Sequence, residues 1–231
     1  TRLEETEEDL CDDDFPLGDD TTIEFVPLTD GEVDAKTQAA RARFNRLVGH
    51  NGETCYCLIA DLKSGMWKVS ARRDKTPPLD FFRRFISQFA PPCRDKTVRF
   101  DQGGELGGNQ NVHDIFHKAG YSVETTAPDS SSEIGQVERP HRMIADGVRT
   151  VLCAAGLSPK FWPCALLTCV FIANHVPRGD RPAAPITMCS GKRPNVSHLR
   201  VFGSRCYALP TTKRDSKTDV NAHPGIFLGC E

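Results

Sequence analysis

The pattern of hydrophobic and polar residues predicts several short β-strands in the first half of the chain. Residues 54–62 and 66–72 are apolar, β-prone runs on either side of a three-residue turn at 63–65, which predicts a hairpin. Residues 22–28 (TIEFVPL) also have strand character. Because proline cannot donate a ladder hydrogen bond, Pro27 restricts this strand to a sheet edge, or else stands at a strand end.

Amphipathic helices are predicted between and after these strands. In residues 78–89, Leu79, Phe82 and Phe85 recur near helical spacing with arginines on the other face. A strand is predicted at 96–100, and further helices at 112–119, at 133–155 with a kink or late start at Pro140, and after Pro159. Strands that alternate with helices favour an α/β or α+β layered domain.

The composition shifts divide the chain into four parts. Residues 1–21 are predicted to be an acidic, disordered leader, and residues 22–176 the main α/β domain. Residues 177–197, rich in Pro, Gly and Arg, are predicted to be a loop, and residues 198–231 a small, truncated β element. Inside the main domain, residues 39–47 favour a helix or a basic loop.

Charge is distributed unevenly along the chain. Residues 1–34 hold 14 of the 31 acidic residues and one of the 29 basic residues, so the remainder carries a net charge of +11. A basic body behind an acidic leader is typical of a protein that binds a polyanion, although a solvated basic surface would have the same composition. Charge alone therefore leaves both interpretations open.

Other classes of protein are disfavoured by composition. The longest nearly unbroken apolar run, residues 161–173, is shorter than the roughly 20 residues that a membrane span needs. The ten cysteines form no CxxC pair, which favours free thiols in a reducing, intracellular compartment and predicts no zinc site. No membrane partner is therefore predicted.

Two carboxylates have a spacing that suits a metal site. Asp101 ends a predicted strand before Gln-Gly-Gly, and Glu138 lies on a predicted helix 37 positions later. An aspartate before glycines is also a common turn former. Carboxylates combined with water and phosphate oxygens suit Mg²⁺, and a pair of such ions about 4 Å apart promotes phosphoryl transfer.

A series of short motifs extends through this part of the chain and beyond it. They are VRFDQGGE at 98–105, APD at 127–129, IGQVER at 134–139, FW at 161–162, NHVP at 174–177, HLRVFG at 198–203 and PGIFLG at 224–229. Over about residues 54–230, the chain resembles the integrase region of Copia-type LTR retrotransposon polyproteins. The resemblance implies a ribonuclease H-like core with two catalytic Asp and one Glu. It also implies Mg²⁺ or Mn²⁺ as cofactor and integration of element DNA ends into target DNA.

On this resemblance, Asp101 takes the second acidic position and Glu138 the third. The first acid has no clear match. Asp34 is the favoured candidate for a catalytic, metal-binding residue, and Asp61 is the runner-up among the residues. Loss of the acid by decay of the element is the other alternative and is favoured over Asp61. Asp61 stands only 40 positions before Asp101, which leaves little room for the intervening elements.

Basic residues near Glu138 are candidates for nucleic-acid binding. Arg139, His141, Arg142 and Arg149 follow it on the same predicted helix, where they could bind phosphates or remain solvated. The resemblance implies, as the favoured function, a nuclear polynucleotidyl transferase that acts on DNA as a homo-oligomer. The alternative is a catalytically dead, integrase-derived module that binds nucleic acid or protein.

Overall fold

The computed structural model describes residues 20–27, 48–89, 96–100, 104–125, 131–179, 181–209 and 222–229, with the backbone alone for 20–27, 89, 104, 125 and 131–138. The strands are β1 Asp20–Pro27, β2 Cys55–Asp61, β3 Trp67–Arg72, β4 Lys96–Phe100, β5 Tyr121–Thr125, β6 Arg205–Ala208 and β7 His223–Ile226. The helices are α1 Leu79–Phe89, α2 Gly104–Gly107, α3 Gln110–Lys118, α4 Ser131–Ala155, α5 Trp162–His175 and α6 Pro185–Ser190, and a 3₁₀ turn at Pro159–Phe161 precedes α5.

The main sheet has five strands in the order β3-β2-β1-β4-β5. The pairs β1/β2 and β2/β3 are antiparallel, whereas β1/β4 and β4/β5 are parallel. The predicted hairpin is therefore present as β2 and β3. Strand β1 is central, and it accommodates Pro27 because this residue is its last and lies opposite Cys55.

Helices pack on both faces of this sheet. On one face, Phe82 of α1 and Phe116 of α3 pack with Ile59, Val98 and Phe100, all of them fully buried. On the other face, side chains of α4 and α5 pack with β2 and β3; they include Ile144, Leu152, Trp162, Leu166 and Val170. Strand β2 alternates its side chains between the two cores, as the two-residue period requires: Cys57 and Ile59 lie in the first core, and Tyr56 and Leu58 in the second.

Several elements differ from the sequence-based expectation, among them β5, α6 and α4. Strand β5 was not predicted; it buries Tyr121 and extends the sheet beside β4. The predicted loop at 177–197 contains α6, which begins at Pro185 and ends before Gly191 in the left-handed region (φ 68°). Helix α4 begins at Ser131, nine residues before Pro140, so the late start is wrong.

The small C-terminal β element that the sequence predicts is formed by β6 and β7, and the structure pairs them antiparallel. It contacts the main domain through Phe202, which is buried in the core that α4 and α5 share. Leu228 packs at the edge of the same core, and its carbonyl accepts a hydrogen bond from the Thr168 hydroxyl at 3.4 Å. No helix in the described ranges is both long enough and apolar enough to cross a bilayer.

The outer edge of β3 is capped by a buried side chain of α5. The Asn174 amide accepts a hydrogen bond from the Trp67 backbone N–H at 2.9 Å and donates one to the Trp67 carbonyl at 2.7 Å. This pair of bonds reproduces what a sixth strand would provide at that residue. The asparagine of the NHVP motif thus satisfies a sheet edge that would otherwise stay open.

Replacing Asn174 by Ala is expected to lower the free energy of unfolding by about 2–3 kcal/mol, because it leaves two buried backbone groups without partners. Chemical denaturation monitored by circular dichroism measures this loss. Asn111→Ala, at an exposed position of α3, is the matched control and should change stability by less than about 0.5 kcal/mol. Equal effects of the two substitutions would contradict the capping role.

Candidate metal centre and nucleic-acid interface

The parallel register of β1 and β4 defines the candidate site. Asp20 lies opposite Thr97, and the pairing continues to Ile23 opposite Phe100. The next residues along the chain are Glu24 and Asp101. In the sequence, an acidic residue therefore follows the last residue of this register in each of the two segments.

Position 24 belongs to the face of the sheet that α4 and α5 cover. In the β1/β2 register Glu24 pairs with Leu58, and paired positions share a face. Leu58 lies in the core with Trp162 and Leu166, whereas its neighbours Cys57 and Ile59 lie in the opposite core. Helix α4, which carries Glu138, also contacts β1.

A hydrogen bond fixes α4 to the sheet close to Glu138. The Tyr56 hydroxyl lies 3.1 Å from Nδ1 of His141, three residues after Glu138, and the two rings are 5.9 Å apart. Tyr56 pairs with Val26, two residues after Glu24 in β1. The backbone of α4 at Glu138 is thereby held near the part of β1 that contains Glu24.

The segment after Asp101 is anchored on both sides. Glu105 of α2 accepts a hydrogen bond from the Lys75 ammonium at 3.1 Å, which lowers the pKa of this carboxyl. The His113 ring stacks on Phe100 with centroids 5.9 Å apart, and its Nε2 lies 2.8 Å from the Gly107 carbonyl. These contacts tie α2 to the end of β3 and to α3.

Asp61 has a local structural role. Its Oδ2 accepts hydrogen bonds from the Ser64 backbone N–H at 3.0 Å and from the Ser64 hydroxyl, while its buried Oδ1 has no partner among the described residues. Asp61 lies on β2, and β1 separates this strand from β4, so two strand spacings of about 4.8 Å intervene. The carboxylate thus organises the β2–β3 turn.

The predicted metal ligands lie where side chains are not described. Asp34 and Asp101 fall outside the described residues, and Glu138 is placed on α4 by its backbone alone, as Glu24 is on β1. Among the described side chains, no group of three histidine, cysteine, aspartate or glutamate residues is arranged to hold a metal ion. Those roles therefore stay predictions.

The predicted nucleic-acid contacts fall into two groups. Arg139 and Arg142 are exposed on α4, and Arg142 makes no ion pair with any described carboxylate. His141 is half-buried against Tyr56, and exposed Arg149 forms an ion pair with Asp146 at 2.6 Å. Of these four residues, Arg139 and Arg142 are thus the exposed ones that form no ion pair with a described carboxylate.

Sequence reasoning overlooked Glu24. A signal was present, because Ile23 and Phe25 flank it in a predicted strand that precedes the β2–β3 hairpin. The first acid was sought between Asp34 and Glu53, closer to that hairpin. Only the pairing of β1 with β4 draws attention to Glu24, which follows the last residue of that register.

Comparison with known protein sequences identifies relatives of the chain. No family model matches the chain. It is 32% identical over 176 residues to the retrovirus-related Pol polyprotein from transposon TNT 1-94 of Nicotiana tabacum, covering 74% of this chain and 13% of that protein. It is 31% identical over 134 residues to the Pol polyproteins from transposons RE1 and RE2 of Arabidopsis thaliana, covering 58% of this chain and 9% of each of those proteins.

Among solved structures, the catalytic core domain of BIV integrase matches with a TM-score of 0.48 and 15% identity, over 73% of this chain and 92% of that one. The fold is ribonuclease H-like, as the strand order and the helices on both faces define it. The homologues of the chain are Pol polyproteins of plant Copia-type retrotransposons, which confirms the resemblance seen in its motifs. The chain corresponds to a small part of these long proteins.

Proposed function

We propose that the chain is an integrase catalytic core that processes the end of element DNA and joins it to target DNA. The observation that supports this function best is the convergence of β1, β4 and α4. These elements carry Glu24, lead to Asp101 and carry Glu138, respectively, and they are neighbours in the fold. Homology to retrotransposon Pol polyproteins supports the same function.

The donor set fits Mg²⁺ or Mn²⁺. Asp101, Glu138 and a third acid would offer only carboxylate oxygens, which these hard cations prefer. Glu24 is our candidate for the third acid, because one further step of the β1/β4 register would place it beside Asp101. Asp34, the candidate favoured by sequence, is the alternative.

The acidic and the basic residues of the chain would have different roles in the reaction. The three carboxylates would hold the metal ions, and bound metal would supply activation of the nucleophile and neutralisation of the leaving oxygen. The chain first positions a water to break a phosphodiester bond near the DNA end, which leaves a 3′ hydroxyl. It then aligns that hydroxyl with a phosphodiester of the target, while Arg139 and Arg142 bind flanking phosphates.

Partners and location follow from this function. Element ends and target DNA are two substrates that must be held together, and a homo-oligomer would present one core to each end. Target DNA places the reaction in the nucleus. These assignments extend the similarity to the Pol polyproteins, of which the chain spans 13% or less.

A strand-transfer assay tests the proposal. The purified chain is incubated with a short labelled DNA end and a target duplex in Mg²⁺ or Mn²⁺, and products longer than the labelled strand are measured. We expect them with metal and not with EDTA. Duplex binding without transfer in either metal would support the dead, nucleic-acid-binding module instead.

Arg142→Ala is expected to weaken duplex binding and to reduce the slope of log Kd against log salt by about one phosphate contact. The reason is that Arg142 is exposed on α4 one turn after Glu138. Arg83→Ala is the matched control, because Arg83 is exposed on α1, on the opposite face of the sheet. A salt slope unchanged by Arg142→Ala would remove this residue from the interface.

A further inference from the structure

Two arginines from the linker after α5 hold the β2–β3 turn. Arg178 donates a hydrogen bond to the Gly65 carbonyl, and Arg181 donates to the carbonyls of Leu62, at 3.0 Å, and of Lys63. Gly65 has a φ of 74°, and a Cβ there would lie 2.7 Å from Nε of Arg181. Two guanidinium groups are thus packed tightly against one short turn.

These guanidinium groups have no carboxylate partner in the described part of the chain. Arg178 lies 3.5 Å above the Trp67 ring, and its buried Nε lacks a hydrogen-bond partner among the described residues. Burial and the charge of Arg181 lower the pKa of Arg178 to about 10. The carboxylate of Asp61, at the start of the turn, is engaged by Ser64 instead.

Further cations belong to the turn itself and to the segment that follows α6. Lys63 is exposed within the turn. Cys189 of α6 lies 3.2 Å from Met66 through their sulfur atoms, and the exposed Lys192 and Arg193 follow it by three and four residues. We call Lys63, Arg178, Arg181, Lys192 and Arg193 the hairpin-end cations. An anion bound there would offset repulsion between like charges.

Residues 1–19 of the acidic leader are joined to β1 next to the β2–β3 turn. Thr21 of β1 pairs with Asp61, the residue immediately before the turn, and Asp20 is the first residue of β1. Residues 1–19 contain nine acids and one base. Because neighbouring strands are about 4.8 Å apart, the leader is attached within reach of the hairpin-end cations.

We propose that residues 1–19 bind to the hairpin-end cations of the same chain and compete there with external polyanions. Residues 1–19 are favoured over nucleic acid as the bound group because they are attached directly to Asp20, at the start of β1. A short tether of this kind gives an effective concentration of about millimolar. The opposite charges of the two segments supply the attraction, which salt screens. This contact is independent of the metal centre, because the turn lies at the start of β1 whereas position 101 lies beyond the end of β4.

Zero-length carbodiimide coupling of the full chain tests the contact. Equal amounts of ¹⁴N- and ¹⁵N-labelled chain are mixed, coupled at low salt and at about 1 M salt, where the Debye length is about 3 Å, and mapped by mass spectrometry. We expect Lys63 and Lys192 to couple to carboxylates of residues 4–19 within one chain at low salt. At high salt this coupling should fall at least about tenfold.

Lys160 is the control lysine. It is exposed, and its carbonyl accepts a hydrogen bond from His50, which precedes β2 at the opposite end of the sheet. Equal coupling of the leader to Lys160 and Lys63 would overturn the proposal, as would coupling only between labelled and unlabelled chains. Protection of Lys63 and Lys192 from acetylation by duplex DNA, without any coupling to residues 1–19, would overturn it in favour of a nucleic-acid site.

Discussion

Replacing Glu138 by Gln should reduce metal-dependent strand transfer by about 100-fold or more, equivalent to about 2.7 kcal/mol of transition-state stabilisation. The amide preserves the shape of the side chain but removes the negative charge that a divalent cation requires. Glu138 lies on α4 three residues before His141, which is bonded to Tyr56, so the helix position is fixed independently of the carboxylate. The melting temperature should therefore change little.

The matched control is Asp146→Asn, which removes one carboxylate from the same helix two turns further on. Asp146 is exposed and pairs with Arg149, and this substitution should leave strand transfer within about twofold. Measurement of transfer and of duplex affinity for both variants separates chemistry from binding. Equal losses of transfer in the two variants would contradict a specific role for Glu138.

Glu24→Gln should reduce strand transfer by a similar factor of about 100, whereas Asp34→Asn should leave it nearly unchanged. The reason is the β1/β4 register, which ends with Ile23 opposite Phe100, one residue before each acid. Glu24→Asp retains the charge on a shorter side chain and should preserve more activity than Glu24→Gln. Transfer rates in Mg²⁺ and Mn²⁺, together with melting temperatures, measure the difference.

The opposite pattern would assign the first acid to Asp34. Loss of transfer in the Asp34→Asn variant with normal activity of Glu24→Gln would contradict the register argument while leaving the integrase function intact. If Asp61→Asn alone lowered transfer, the change in stability would have to be measured as well. Asp61 organises the β2–β3 turn through Ser64, so its loss could lower transfer by destabilising the fold rather than by removing a metal ligand. A catalytic role would require lost activity without lost stability.

Many of the helices and strands could be predicted from the local pattern of apolar and polar residues. The β2–β3 hairpin, α1 and β4 were predicted because alternating or helically spaced apolar residues determine which side of an element is buried. Helix α6 and strand β5 were missed since they are short and their stability depends on packing against neighbours. Pro140 also shows the limit of local rules, because α4 continues through it.

The sequence by itself determined the acidic leader, the basic body and the motif series, and the resemblance carried by those motifs is what proposes Asp101 and Glu138 as metal ligands. These properties depend on residue type and spacing alone. Only the tertiary structure decided which strand lies beside β4, and so drew attention to Glu24 and away from Asp61. It also revealed the paired Arg178 and Arg181 on a turn more than 100 residues earlier. Strand order and long-range contacts arise from packing of the whole chain, which no local pattern encodes.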